Sequence, residues 1–263
     1  MSVTTALRDH CFHVTLDRPE KRNAFDGAIV QALREALEAA GKEDRARVIV
    51  LDAVGRHFSA GADLEWMRRM ADMDHEENRQ DALALAGLMR TLDRAPKPVI
   101  CRVQGAAFGG ALGLIAAADI AIASDDARFR LSEVRLGILP AVISPYVVRA
   151  LGPRQARRYF MSGEEIDAPR ARELDLVHEI LPETELDARV EAIAGELAMG
   201  APAAQLRVRE LIDGVAWKQA DPELLEWTAG QIADLRAADE GREGLDAFLQ
   251  KRPPVWQSGE KGS

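Results

Sequence analysis

The spacing of apolar side chains changes several times along the chain, and each change marks an element. Phe12, Val14 and Leu16 alternate with His13 and Thr15, the period of a strand with one buried face. The polar residues 17–23, with Pro19 among them, end it. Asp26 is placed to cap a helix in which Ile29, Leu33, Leu37 and Ala40 recur at helical spacing, and Gly41 suits its stop. Val48, Ile49, Val50 and Leu51 run together without a polar break, as in a strand covered on both faces. After a glycine-bearing loop at 55–62, one helix is predicted from near Asp63. A second is predicted from about His75 to Arg94, stopping before Pro96 and Pro98.

The middle of the chain repeats this theme. Residues 99–103 read as a strand, 109–118 as a helix of small residues and 120–123 as another buried strand, while Phe129, Leu131 and Val134 suggest a short edge segment. Strands alternating with helices predict an α/β fold with parallel pairing. The tail differs: Leu186, Val190, Ile193 and Leu197 mark a helix, and residues 202–250 read as helical apart from a break at Asp221 and Pro222. These patterns divide the chain into 1–200, an α/β core, and 201–263, a helical region.

Composition narrows the class. At 263 residues the chain is long enough for a large core, and a formal charge of -9 gives no general attraction for polyanions, so neither nucleic acid nor an anionic membrane is the expected partner. Cys11 and Cys101 cannot form a disulfide framework, which fits a reducing compartment. The first ten residues hold no apolar core of a secretory signal, and the longest uncharged stretch, 103–118, is short for a membrane span. A cytoplasmic protein is expected.

Two segments carry candidate chemistry: 57–64, His-Phe-Ser-Ala-Gly-Ala-Asp-Leu, and 105–114, Gly-Ala-Ala-Phe-Gly-Gly-Ala-Leu-Gly-Leu. Each follows a predicted strand and opens a helix, so each can present unpaired backbone N–H groups at a positive helix end. Two such donors aimed at one point would form an oxyanion hole. Taken singly, each loop is equally a tight turn or a close helix contact. Neither has the glycine spacing of a dinucleotide fingerprint or the Lys-Ser/Thr of a P-loop.

Joined to 18–25 (Arg-Pro-Glu-Lys-Arg-Asn-Ala-Phe), 132–140 (Ser-Glu-Val-Arg-Leu-Gly-Ile-Leu-Pro) and 248–256 (Phe-Leu-Gln-Lys-Arg-Pro-Pro-Val-Trp), these segments make the chain resemble the crotonase (enoyl-CoA hydratase/isomerase) superfamily from about residue 10 to 257. Residues 108–114, 131–135 and 140–145 most resemble the methylglutaconyl-CoA and isohexenylglutaconyl-CoA hydratases. The resemblance implies a crotonase-like spiral of ββα units, with a C-terminal helical region that makes the contacts of a homotrimer or dimer of trimers. It also implies a coenzyme A thioester substrate, with no cofactor beyond that coenzyme A and no metal.

Matched position by position, the backbone amides of Ala62 and Gly110 would hold the thioester oxygen, and Glu133 would be the acid/base. The second glutamate of the family hydratases corresponds to Gly113. One carboxylate could both take a proton from water and give one to C2, so hydration, with 3-methylglutaconyl-CoA as substrate, is the leading expectation. An enoyl-CoA isomerase, a general short-chain enoyl-CoA hydratase and a non-catalytic CoA-ester binding protein are the alternatives. Gly113 is expected to make room for a C3 substituent and to spare an acyl carboxylate a like charge. On that expectation, Gly113→Glu would harm a branched dicarboxylic ester more than crotonyl-CoA. The resemblance places Lys21, Arg22, Ala24, Ala60, Asp63, Phe248 and Lys251 along the coenzyme A, although Asp63 fits a helix cap equally well.

Other features weigh less. His10 and His13 do not share a face of a strand, and His57, His75 and His178 show no zinc spacing. Trp66, Met67 and Met70 fit either an acyl pocket or plain core. Arg154, Arg157 and Arg158 read as a solvated helix face.

Overall fold

The computed structural model describes residues 2–258. In chain order these form β1 (Val3–Arg8), β2 (Cys11–Leu16), α1 (Gly27–Lys42), β3 (Val48–Ala53), α2 (Leu64–Asp72), α3 (His75–Asp93), β4 (Val99–Val103), β5 (Ala106–Phe108), α4 (Gly110–Ala117), β6 (Ile120–Ser124) and β7 (Arg128–Arg130). They continue as α5 (Ser144–Ser162), β8 (Glu165–Asp167), α6 (Ala168–Glu173), β9 (Glu179–Leu181) and α7 (Glu183–Met199). The remainder is α8 (Pro202–Val215), α9 (Pro222–Ala237), α10 (Asp239–Gln250) and α11 (Val255–Ser258). No helix among the described residues is long and apolar enough to cross a membrane.

Residues up to Ala194 form one compact unit and those from Gly195 onward a second. In the first, a six-stranded sheet runs in the order β1-β2-β3-β4-β6-β9, and a smaller sheet in the order β5-β7-β8. Every neighbour in the large sheet pairs in parallel except β1 and β2. The apolar run of β3 lies between β2 and β4 and is buried through Val48–Leu51, as its unbroken hydrophobicity predicts. The apolar stripe of α1, Ile29, Leu33, Leu37 and Ala40, is buried, and Asp26 caps the helix by accepting from the Ile29 N–H at 2.9 Å.

The sequence reading placed no element at β5, β8, α6 or β9, and four further details depart from it. β1 was not expected; it is an edge strand with most positions partly or fully exposed, so its pattern carries no clean alternation. Helix α1 passes through Gly41, whose smallness serves packing: a Cβ there would lie 2.9 Å from Pro96. The edge segment stops at Arg130, and Val134 falls instead in a 3-10 turn at Glu133–Leu136. The helical tail breaks at Ala238 as well as at Asp221.

In the second unit Asp221 caps α9 through the Leu224 N–H, and the Trp256 indole donates to the Met199 carbonyl at 3.1 Å. Neither α8 nor α9 has a fully buried side chain. Val208, Ile212, Leu225 and Ile232 are exposed.

Candidate active site

The loop between β3 and α2 is laced into place by backbone bonds on two sides. On one side Phe58 and Ser59 donate to Gln104 and Ala106 at 2.8 and 3.0 Å, and Phe108 donates back to Ser59 at 3.0 Å. On the other, Ala60 donates to Arg22, Phe25 to Gly61 and Asp63 to Phe25, at 2.9, 2.7 and 2.7 Å. Asn23 is fully buried and anchors the flank, its amide donating to the carbonyls of Val54 and His57. With Gly61 donating to the Ser59 hydroxyl and Asp63 to Phe25, the amide between them, Ala62, has no acceptor among the described residues.

The second loop leaves a matching donor. Gly109 donates to Arg130 at 2.9 Å, and Leu112 begins the internal bonding of α4. Gly110, the first residue of that helix, has no acceptor among the described residues. Both loops turn on glycines at positive φ, +88° at Gly61 and +54° at Gly109. These glycines touch: a Cβ on Gly61 would stand 3.0 Å from the Phe108 carbonyl oxygen, and one on Gly109 would stand 3.9 Å from the Gly61 Cα and 3.4 Å from Glu133 Oε1. Close backbone approach therefore brings the two free amides and one carboxylate together.

A cavity of about 300 Å³ opens at this point. Ala62, Gly110 and Glu133 line it, with Trp66 and Met70 from α2, Asp81 and Leu85 from α3, and Ile138, Leu139, Val142 and Ile143 from the segment before α5. Trp66 and Met70 thus belong to the cavity wall, whereas Met67 does not. The Glu133 Oε2 is buried without a hydrogen-bond partner, and burial pushes this carboxyl above its ordinary value. The Trp66 Nε1–H donates to Asp81 Oδ1 at 3.1 Å. Burial raises the Asp81 carboxyl too, and the indole bond only partly offsets that. A wider groove of about 790 Å³ lies along Arg154, Arg157, Arg158 and Arg170. It joins neither free amide to a carboxylate, and Arg158 and Arg170 pair with Glu164 and Glu173.

Gly113 corrects the sequence reading. It is buried in α4 and is not on the cavity wall; a Cβ there would fall 2.3 Å from Ile143 Cγ2 and 3.0 Å from Met89 Sδ. The room expected for a substrate branch is filled by Ile143, which itself lines the cavity. Gly113→Ala is therefore expected to destabilise the fold by about 1–3 kcal/mol through overpacking. Adding Ile143→Ala should return much of that in a thermal-melt double-mutant cycle. Gly113→Glu, by the same collision, is expected to reduce activity on branched and straight esters alike.

The coenzyme A residues divide. Asp63 is the cap of α2, accepting from the Glu65 and Trp66 N–H groups. Burial alone would raise its carboxyl, but those bonds and Lys21 hold it below the usual range. The Lys21 ammonium lies 3.2 Å from Glu65 and 3.4 Å from Asp63. Arg22 is exposed, Ala24 is buried and Ala60 half-buried. Phe248, 80% exposed, and Lys251, the left-handed cap of α10, lie in the second unit. Asp81 was missed. Its signal was a polar residue at the spacing Asn78, Asp81, Ala82, Leu85, one face of α3, where an apolar stripe would be ordinary core.

Comparison with known proteins gives the family. The Enoyl-CoA hydratase/isomerase family model matches residues 8–259, and the chain belongs to that family. The solved enoyl-CoA hydratase/isomerase (crotonase) of Legionella pneumophila is 48% identical with a TM-score of 0.92, over 97% of this chain and 98% of that one. The enoyl-CoA hydratase of Shewanella pealeana is 45% identical with a TM-score of 0.94, over 97% and 96%. The 2,3-dehydroadipyl-CoA hydratase of Escherichia coli is 34% identical over 92% of each chain. The fold is thus the crotonase fold, and the protein is an enzyme of the crotonase superfamily.

Proposed function

We propose that the protein hydrates the C2=C3 double bond of an enoyl-CoA, with the Ala62 and Gly110 amides holding the thioester oxygen and Glu133 exchanging the proton at C2. The observation that supports this most is the convergence of two acceptor-free amides and a carboxylate with one buried oxygen left unpartnered on one cavity. As C2 gains or loses its proton, charge moves onto the thioester oxygen, and fixed backbone donors stabilise it without reorganising. A carboxyl raised by burial is suited to hold the proton that C2 receives.

The ester proposed is 3-methylglutaconyl-CoA, on the resemblance of segments 108–114, 131–135 and 140–145, with an apolar wall of Ile138, Leu139, Val142 and Ile143 to receive the methyl branch. Coenzyme A is part of this substrate, and the reading requires no separate cofactor. The exposed apolar side chains of α8 and α9 are where copies would meet in a trimer, which light scattering would weigh. Isomerisation is the second reading, favoured by the apolar filling of the Gly113 position, which leaves no second glutamate there. A panel of crotonyl-, 3-methylcrotonyl-, 3-methylglutaconyl- and 3-enoyl-CoA esters tests both readings. Incorporation of labelled water into a 3-hydroxyacyl product, fastest with 3-methylglutaconyl-CoA, is the expected result; double-bond migration without incorporation would establish the isomerase.

A further inference from the structure

The Gly113 position poses a chemical problem. Hydration needs a proton taken from water as its oxygen bonds to C3 and a proton given to C2, two transfers that one carboxylate can make or that two can divide. Ile143 and Met89 crowd the place from which a second glutamate would act. The same cavity nevertheless has a second carboxylate, carried by α3: Asp81 lines the wall that Glu133 lines.

The two carboxyl groups are not equivalent. Burial raises both, but Asp81 accepts from the Trp66 indole N–H at 3.1 Å, a bond that partly offsets this by favouring its charged form, and no described residue engages its other oxygen. Glu133 accepts only from its own backbone N–H and leaves Oε2 buried without a donor, an environment that favours the neutral acid. The difference that suits Asp81 to the base and Glu133 to the acid is therefore the side-chain donor fixed on the first and absent from the second.

We infer that Asp81 is the second catalytic carboxylate of this enzyme, relocated from α4 to α3, acting as the base that takes a proton from the attacking water while Glu133 serves C2. This rests on the hydratase reading above. In the step, the water O–H bond breaks toward Asp81, the oxygen bonds to C3, and the C2=C3 electron pair shifts onto the thioester oxygen held by Ala62 and Gly110. The enolate then collapses as C2 takes the proton of Glu133. Asp81 releases its proton to solvent and Glu133 regains one, so the sum is addition of one water. Trp66 is a positioning residue, orienting Asp81 and favouring its charged form.

The test compares two reactions of the full chain. Hydration, followed with whichever of crotonyl- and 3-methylglutaconyl-CoA is turned over faster, needs both carboxylates. Deuterium uptake at C2 of butyryl-CoA in D2O needs only Glu133 and the two amides. Asp81→Asn is expected to lower hydration about 100-fold while C2 exchange stays within about threefold. Trp66→Phe, which keeps the carboxylate and removes its donor, should shift the acid limb of the hydration pH profile to higher pH and leave that of exchange in place. Hydration by Asp81→Asn within threefold of the unmodified enzyme, or equal loss of both reactions, would overturn the inference. If the unmodified enzyme exchanges C2 but hydrates no ester, the hydratase reading itself has failed and the inference falls with it.

Discussion

Glu133→Gln is expected to lower turnover of any enoyl-CoA about 10³-fold while leaving binding of the ester, measured calorimetrically, nearly unchanged. The amide keeps the shape of the side chain and removes only its capacity to exchange a proton. The same variant should be more stable than the parent at neutral pH. Burial raises the folded-state value of this carboxyl, so the stability linked to its protonation is present below the unfolded value and is lost as pH rises through the folded one. Glutamine does not titrate. Its melting temperature should therefore exceed the parent's at pH 7, the gap closing as pH falls toward about 4. A variant that is both inactive and less stable at pH 7 would mean that Glu133 is a structural residue rather than an acid/base.

Gly109→Ala is expected to cost about 10²- to 10³-fold in turnover in a protein that still folds. At φ +54° and ψ -123° the backbone occupies a region that essentially only glycine adopts, with strain of about 1–3 kcal/mol for other residues. The added methyl would meet the Glu133 carboxylate at 3.4 Å and the Gly61 backbone at 3.9 Å, ordinary contact distances, so the strain lies in the backbone itself. Relief of that strain rotates the peptide that carries the Gly110 N–H, so the donor leaves its aim on the oxyanion. A rate loss confined to chemistry, seen as a fall in kcat with ester affinity retained, is the signature; an unchanged kcat would show that this amide does not serve the transition state.

Much of the scaffold was legible because local rules suffice for it. Asp26 and Asp63 cap helices with side chains that reach only a few residues forward, so their sequence neighbours decide their role. The unbroken run at Val48–Leu51 required cover on both faces wherever the strand lay in the sheet. The Glu133 position was readable from its flanking motif, while its burial and its lack of a partner were not.

What local rules could not reach are meetings between residues far apart in the chain. Lys21 reads as a loop cation, yet Asp63 and Glu65 come to it across the fold and take up its charge. Gly113 reads as vacant space, yet Ile143, thirty positions on, occupies that space. Asp81 reads as one more polar residue on a helix; only the packing of α3 against Trp66 turns it toward an apolar cavity. The amino-acid order by itself determined α1, α3, α4 and α7, the buried strands β3, β4 and β6 and the two glycine-hinged loops, because dihedral preference and hydrophobic period act over a few residues. The tertiary structure alone decided which amides stay without acceptors, which carboxylates share a cavity and which glycine is filled by a neighbour, because solvation and close packing depend on everything that surrounds a group.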